Sequence, residues 1–329
     1  MATDPDRRVL VGTAAACAVA AATGAFSDNV HAQAPRVKGP PVYLGMDQTA
    51  LDAAYDQAVY APNARDVQGR MRRLSAEARK RLGEPQRFAY GPTDIEKLDV
   101  YPARQKHAPI QIFIHGGAWR SGLAEEHADA AELFHHAGAV YVVPDFTPVQ
   151  DAADSLRTMA EQVRRSIAWV YKNAERIGGD VNRICLSGHS SGAHLAGVAL
   201  ITDWRREHGI PDDFIKAALL CSGMYDLKGP RLSARSSYVK FDDAMEDALS
   251  ALRHLDKIRT PLLLVYGTLE TPEFQRQTRE FSAALKQAGK PAELVVAEDF
   301  NHFEIRETFA NPFDIVGRAA LAQMKLSIN

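Results

Sequence analysis

The serine at position 190 has a sequence setting that could make it a nucleophile. It is the middle residue of GHSSG, which stands between a short apolar run, 184–186, and the small-residue apolar segment 193–200. The run predicts a buried strand and the segment a helix packed on a sheet. A strand that turns sharply into a helix at G-x-S-x-G holds its serine in strained geometry with the hydroxyl exposed. The pattern predicts a nucleophilic Ser190, with an ordinary Gly/Ser turn as the open alternative.

A serine hydroxyl is a weak nucleophile, so it needs a base within hydrogen-bond reach and a third group that orients the base. His302 follows the last predicted strand, and Glu270 follows the strand before it. The chain order Ser190, Glu270, His302 is the nucleophile–acid–base order of the α/β-hydrolase fold. Asp226, which follows an earlier strand, is an alternative acid. Because histidine ordinarily titrates near pH 6.5, we expect activity to climb between about pH 5.5 and 7.5.

Two glycines could stabilise the charge that such a reaction develops. Gly116 and Gly117 stand in HGGAW, directly after the predicted buried strand 109–114. At the end of a strand, backbone N–H groups can point into a cavity and hold a developing oxyanion. The N–H of Ser191, at the start of a helix, could do the same. Gly116, Gly117 and Ser191 are therefore the predicted oxyanion donors, with a plain diglycine turn as the alternative.

The strands that carry these residues must lie side by side for the chemistry to work. Strand and helix patterns alternate almost throughout, which predicts an α/β fold: a doubly wound, mostly parallel eight-stranded sheet with helices on both faces. In such sheets ligands bind beyond the carboxyl ends of the strands. Ser190, the diglycine, Glu270 and His302 each follow a different strand at that end.

The domain boundaries follow from the same patterns. Residues 35–85 predict a small N-terminal helical flap, and residues 86–329 an α/β-hydrolase catalytic domain with a short insertion at about 228–247. Within the domain, the clearest amphipathic pattern predicts one helix over 155–177, ended by Gly178 and Gly179.

The leader, residues 1–34, does not have the pattern of folded structure. Arg7 and Arg8 precede the apolar run 9–22, and Ala-Gln-Ala at 32–34 supplies a small-x-small cleavage site. These features predict a twin-arginine-type export signal, removed after Ala34, and a periplasmic or secreted mature protein. The run is too short for a stable membrane span. A disordered alanine-rich tail and a lipoprotein signal at Cys17 are the alternatives.

Bulk composition excludes several classes of protein. The chain has 329 residues, of which 46% are hydrophobic and 24% charged, and a net charge of -2. Without a basic stripe, no nucleic-acid binding is expected. The three cysteines predict neither a disulfide scaffold nor a zinc cluster, and Cys185 and Cys221 are expected to be buried thiols. We expect no metal and no cofactor.

From about Tyr55 onward the chain resembles the α/β-hydrolase superfamily, in the branch of arylformamidases (kynurenine formamidases) and hormone-sensitive-lipase-like carboxylesterases. HGGAW and GHSSG match the oxyanion and elbow motifs of that branch, and LDVYP at 98–102 matches the strand before them. Three further segments resemble formamidases: SGMYDL at 222–227, TPEF at 271–274 and NHFEI at 301–305. The resemblance implies a triad of Ser190, Glu270 and His302, although the family's acid is usually aspartate.

The predicted activity is a serine hydrolase that cleaves a small carboxylic ester or aryl amide through an acyl-enzyme. An arylformamidase acting on N-formylkynurenine-like substrates is the first alternative, and a catalytically silent ligand-binding protein of the same fold is the second. Four aromatic residues are candidates for the substrate pocket, with packing as the other interpretation. They are Trp119, Tyr55, Tyr225 and Phe303.

Overall fold

A mostly parallel, eight-stranded sheet with helices on both faces is the frame of this protein, as the sequence predicts. The computed structural model describes residues 39–328, so the predicted export signal at 1–34 lies outside the described residues. The strands are β1 (Gln86–Ala89), β2 (Lys97–Tyr101), β3 (Ala108–Ile114), β4 (Val140–Pro144), β5 (Gly179–His189), β6 (Ile215–Cys221), β7 (Leu262–Gly267) and β8 (Ala292–Ala297).

The order of the strands places the predicted site at one edge of the sheet. Their order is β1-β2-β4-β3-β5-β6-β7-β8. β2 is antiparallel to both β1 and β4, and all pairs from β4 to β8 are parallel. Because parallel strands end at the same edge, the loops after β3, β5, β6, β7 and β8 meet there. β5 lies between β3 and β6, so the loop that carries Ser190 has neighbours on both sides.

Two apolar cores cover the two faces of the sheet, because successive side chains of a strand point to opposite sides. In β3, Ile112 and Ile114 join the core on one face, and Phe113 joins the core on the other. β5 alternates in the same way, with Leu186 on the first face and Cys185 on the second. Strands that are apolar on both faces can only be central strands of a covered sheet.

The helices lie before the first strand, between the strands and after the last strand. They are α1 (Gln48–Ala54), α2 (Ala64–Leu82), α3 (Ala131–His136), α4 (Leu156–Lys172), α5 (Ser191–Leu200), α6 (Trp204–His208), α7 (Lys228–Leu232), α8 (Asp243–Ala248), α9 (Pro272–Gln287), α10 (Glu304–Glu307) and α11 (Ile315–Gln323). Short 3-10 turns include Gln57–Val59 and Ala124–Ala130. Every helix among residues 39–328 is too short or too polar to cross a bilayer.

The helix predicted over 155–177 is shorter in the structure. α4 ends at Lys172, and the Asn173 side chain donates to the Trp169 carbonyl at 2.9 Å. A separate 3-10 turn, Glu175–Ile177, then leads to Gly178 in the left-handed conformation. Ile177 is buried like the helix residues before it, so the apolar pattern continues past the point where the helix stops.

Candidate active site

Ser190 stands at a sharp turn between β5 and α5. Its backbone has φ 58° and ψ -127°, a conformation that is strained for a residue with a side chain. The Ser190 N–H donates to the Cys221 carbonyl at 2.9 Å, which ties the turn to the end of β6. The elbow geometry predicted from GHSSG is therefore present.

The side chains of Ser190, His302 and Glu270 form one hydrogen-bonded chain. His302 Nε2 lies 2.8 Å from Ser190 Oγ, and His302 Nδ1 lies 2.7 Å from Glu270 Oε2. All three residues are buried. If the carboxylate accepts the Nδ1–H, Nε2 carries a lone pair that can take the serine proton. The loops after β5, β7 and β8 thus bring together the three groups that the sequence singled out.

The Glu270 carboxylate has further donors that sequence reasoning missed. Its Oε1 accepts from Ser222 Oγ at 2.5 Å and from the Gly267 N–H at 2.7 Å. Gln57 Nε2 donates to the other oxygen, Oε2, at 3.4 Å. Ser222 follows β6 at the edge of the sheet that the other site residues share, which is a signal that could have found it. Gln57 lies 213 positions before Glu270, and no pattern in the sequence links the two.

Asp226, the alternative acid, is engaged elsewhere. Its Oδ1 accepts from Arg253 Nη2 at 2.7 Å and from the Lys228 N–H at 2.9 Å. The structure therefore places Glu270, and not Asp226, against the histidine. The longer glutamate side chain fits because it curls back onto the N–H of Gly267, three residues earlier in the same turn.

The diglycine segment lies against the serine. A Cβ on Gly116 would lie 3.1 Å from Ser190 Cβ and 2.9 Å from the His189 carbonyl oxygen, so only glycine allows this approach. Gly117 has φ 122°, a conformation that favours glycine. Ser191 is the first residue of α5, and its N–H therefore has no acceptor within the helix. Its hydroxyl accepts from the Trp119 N–H at 3.2 Å and so links the two segments.

Buried histidines surround the site without joining the chain of hydrogen bonds. The ring of His189 lies 4.6 Å from that of His302, and its Nε2 lies 2.9 Å from the His302 carbonyl oxygen. Burial, with the nearby His302 and Arg306, holds the pKa of His189 well below its usual range. Burial also lowers the pKa of His194, which accepts from the Trp119 indole N–H, to about 4. Both rings are therefore neutral at neutral pH.

The four predicted pocket aromatics have different surroundings. Tyr225 is 1% exposed and stacks on Phe281 at 4.3 Å, and the buried Tyr55 donates to a Glu273 carboxylate oxygen at 2.8 Å. The Trp119 ring is also buried, beside His194. These three rings pack inside the protein. Phe303 is the member of the set that is partly exposed, and its ring stands edge-on to His302 at 5.4 Å.

In the described part of the chain, the histidine, cysteine and acidic side chains form neither a metal site nor a reactive thiol. Among residues 39–328, no three histidine, cysteine or acidic side chains are arranged to hold a metal ion. Cys185 and Cys221 are free and buried, and burial raises the pKa of their thiols to about 11 and about 12. These thiols are therefore protonated at neutral pH.

Comparison with known proteins gives a consistent result. The BD-FAE family matches residues 98–217. A kynurenine formamidase of Danio rerio is 31% identical over 225 residues, which are 66% of this chain and 74% of that protein. Esterase LipQ of Mycobacterium tuberculosis is 29% identical over 224 residues, which are 61% of this chain and 52% of that protein.

A solved structure shows the same fold. The Pyrobaculum calidifontis esterase superposes on 82% of this chain and 93% of its own with a TM-score of 0.60, at 21% sequence identity. With the formamidase match, the sheet order and the geometry at Ser190, the fold and the family are established. The chain is a hydrolase and belongs to the α/β-hydrolase superfamily, in the branch that contains arylformamidases and hormone-sensitive-lipase-like carboxylesterases.

Proposed function

We propose that this protein cleaves a small carboxylic ester or aryl amide through an acyl-enzyme on Ser190, with His302 as the base and Glu270 as the acid. The observation that carries the proposal is the hydrogen-bonded chain from Ser190 Oγ through the imidazole to Glu270, with 2.8 Å and 2.7 Å between the joined atoms. A serine, an imidazole and a carboxylate in this order are what acyl transfer requires.

The proposed reaction has two halves. His302 Nε2 takes the hydroxyl proton while Ser190 Oγ attacks the substrate carbonyl, and the same nitrogen then gives that proton to the leaving alcohol or amine. A water molecule next attacks the acyl-enzyme, and its proton passes through His302 to Ser190 as the carboxylic acid departs. The N–H groups of Gly116, Gly117 and Ser191 would hold the negative oxygen of each tetrahedral intermediate. Each such donor is worth on the order of a hundredfold in rate.

The surroundings of His302 suit a base that must become charged for a moment. Glu270 faces its Nδ1, and three donors hold the carboxylate in place. His189, the nearest other imidazole, is neutral because burial lowers its pKa. The imidazolium that forms during each step therefore meets one negative partner and no competing positive ring.

Arylformamidase activity is the second candidate, and the similarity to a kynurenine formamidase favours it. The similarity to a kynurenine formamidase extends over 74% of that protein. A formamide needs the same attack on a carbonyl, with formate as the released acid. N-formylkynurenine and short p-nitrophenyl esters, assayed side by side on the purified protein, would show which of the two is the better substrate.

Fluorophosphonate labelling provides the direct test of the mechanism. We expect an adduct on Ser190 in the folded protein and none in Ser190→Ala, which should also lose at least about 10⁴-fold in kcat on whichever ester or amide is hydrolysed. Ser187→Ala, which changes a buried serine of β5 whose hydroxyl bonds Gln111 and the Ile112 carbonyl, is the control and should still be labelled. A folded wild-type protein that takes up no label would contradict the acyl-enzyme mechanism and support the alternative of a catalytically silent ligand-binding protein.

A further inference from the structure

The first site contact from the N-terminal region is made by Gln57, in the 3-10 turn Gln57–Val59. This side chain is 6% exposed, and its amide Nε2 lies 3.4 Å from Glu270 Oε2, the oxygen that also faces His302. Its amide oxygen accepts from the Thr271 N–H at 3.2 Å. One side chain therefore bonds both the carboxylate and the backbone of the loop that follows β7.

The second contact is made by Asn63, just before α2. Asn63 Nδ2 donates to Glu304 Oε1 at 2.6 Å, and Asn63 Oδ1 accepts from Asn301 Nδ2 at 2.8 Å. Asn301 and Glu304 flank His302, and Asn301 Oδ1 in turn accepts the N–H groups of Phe303 and Glu304. The loop that follows β8 is thus held from the same N-terminal segment.

We propose that residues 57–63 form a brace that fixes the Glu270 loop against the His302 loop, and that Gln57 is a positioning residue for the Glu270 carboxylate. The inference rests on the catalytic roles proposed above for Glu270 and His302. Two loops that follow separate strands can shift independently, and a side chain misplaced by about 1 Å can cost on the order of a hundredfold in rate. The brace joins the two loops outside the sheet, at the point where the acid meets the base.

Gln57 is neutral, and this property can be tested separately from its position. Its amide bonds Glu270 Oε2, the same oxygen that faces the His302 imidazole, and adds no charge there. A carboxylate at the same position would place a second negative group beside the pair and favour the protonated imidazole. The pH dependence of catalysis can therefore report whether residue 57 acts on the acid and base or only on the stability of the loop.

Four of the ionisable groups around this pair keep one protonation state between pH 5 and 8. On β5, burial holds the pKa of His189 well below its usual range. On β6, burial raises the pKa of the Cys221 thiol to about 12, and in the following loop it raises that of Tyr225 well above its usual range. From α10, Arg306 stays charged beside Asp129. Glu304, which bonds Asn63, and Glu273, which bonds Arg276, are present in every variant, so a profile displaced from that of a control variant would come from the change at position 57.

Gln57→Glu and Gln57→Leu together test the proposal on whichever ester or amide the wild type hydrolyses. For Gln57→Glu we expect the acid limb of the kcat/KM profile to move up by about one pH unit. For Gln57→Leu, which loses both amide contacts without adding charge, we expect kcat to fall about tenfold with KM changed less than about twofold. Gln48→Glu is the control. Gln48 is an exposed amide of α1 that bonds Asp52 and the Leu232 carbonyl, and its variant should match the wild type.

Two results would overturn the brace. One is a folded Gln57→Leu protein with wild-type kcat, and the other is a Gln57→Glu profile whose acid limb coincides with that of Gln48→Glu. Thermal unfolding of each variant separates loss of the fold from loss of positioning. Fluorophosphonate labelling of the wild type is read separately: without an adduct on Ser190 the catalytic proposal fails, whereas labelling with unaffected variants rejects the brace alone.

Discussion

The hydroxyl of Ser191, next to the nucleophile, links α5 to the diglycine segment. The N–H of Ser191 is a candidate oxyanion donor, and its Oγ accepts the N–H of Trp119, four residues after His115 in the diglycine segment. Ala118 and Trp119 both have positive φ, so this segment holds a strained backbone next to the serine. A hydrogen bond to the strained segment keeps it close to Ser190.

We therefore expect Ser191→Ala to lower kcat roughly fivefold to tenfold, the value of one hydrogen bond of about 1 kcal/mol, with a smaller change in KM. The N–H at position 191 remains in this variant, so the loss would measure the tether alone. Ser282→Ala is a matched control, since Ser282 is a buried serine of α9 whose hydroxyl has no partner. Equal kcat values for the two variants would show that the tether does not support catalysis.

At the scale of elements, the short helix α10 supports the loop that carries His302. Arg306 of α10 donates to both carboxylate oxygens of Asp129 at 2.8 and 2.9 Å, and both side chains are buried. Its guanidinium carbon lies 4.7 Å from the centre of the Phe113 ring, on β3. A buried pair of this kind is costly to break, because the partner left behind is a desolvated charge.

Arg306→Met should reduce the free energy of unfolding by about 3 to 5 kcal/mol. The double change Asp129→Leu with Arg306→Met should recover most of that loss, because no unpaired charge remains. Arg70→Met breaks a surface pair with Glu307 of the same helix and should have little effect. Urea unfolding of the four proteins checks the series, and equal losses in the single and double variants at 306 would contradict the explanation.

At the scale of the whole molecule, we expect the buried histidines to contribute a pH dependence to the stability of the fold. Burial lowers the pKa of His115, His127, His189 and His194. Below about pH 6.5 the unfolded chain gains protons on these rings, whereas the folded chain does not. Because the folded state then binds fewer protons than the unfolded state, stability falls as the pH falls. Their contribution is present above that pH and is lost as the pH falls toward about 4, the value for His194.

We expect the free energy of unfolding to fall between pH 7 and pH 5, by roughly 2 kcal/mol for His194, with the other three histidines acting in the same direction. His194→Gln should flatten this dependence by up to one proton, and a glutamine can still bond Trp119 and the Leu249 carbonyl. His136→Gln, at an exposed position, should leave the slope unchanged. Urea titrations at pH 5, 6, 7 and 8 provide the measurement. A stability that is flat across this range would contradict burial as the cause.

Local patterns were sufficient for the sheet, the elbow and the types of residue at the site. Alternating strand and helix patterns predicted the layered α/β fold. Strands that are apolar on both faces need a covering layer on each side of the sheet, and the helices between the strands supply it. GHSSG and HGGAW predicted sharp turns at strand ends, because glycine at defined spacing permits backbone conformations that other residues avoid. The leader has the pattern of an export signal, and that assignment stays a prediction.

The sequence by itself determined which types of reactive residue follow the strands, and the tertiary structure decided which of their side chains meet. Asp226 and Glu270 both follow a strand, so their positions in the sequence do not separate them. In the structure Asp226 bonds Arg253, whereas Glu270 bonds His302. Gln57 left no signal at all, because its contact spans 213 positions and depends on how the N-terminal segment packs. A periodicity describes neighbours along the chain, whereas side-chain contacts between loops are fixed only when the whole fold is in place.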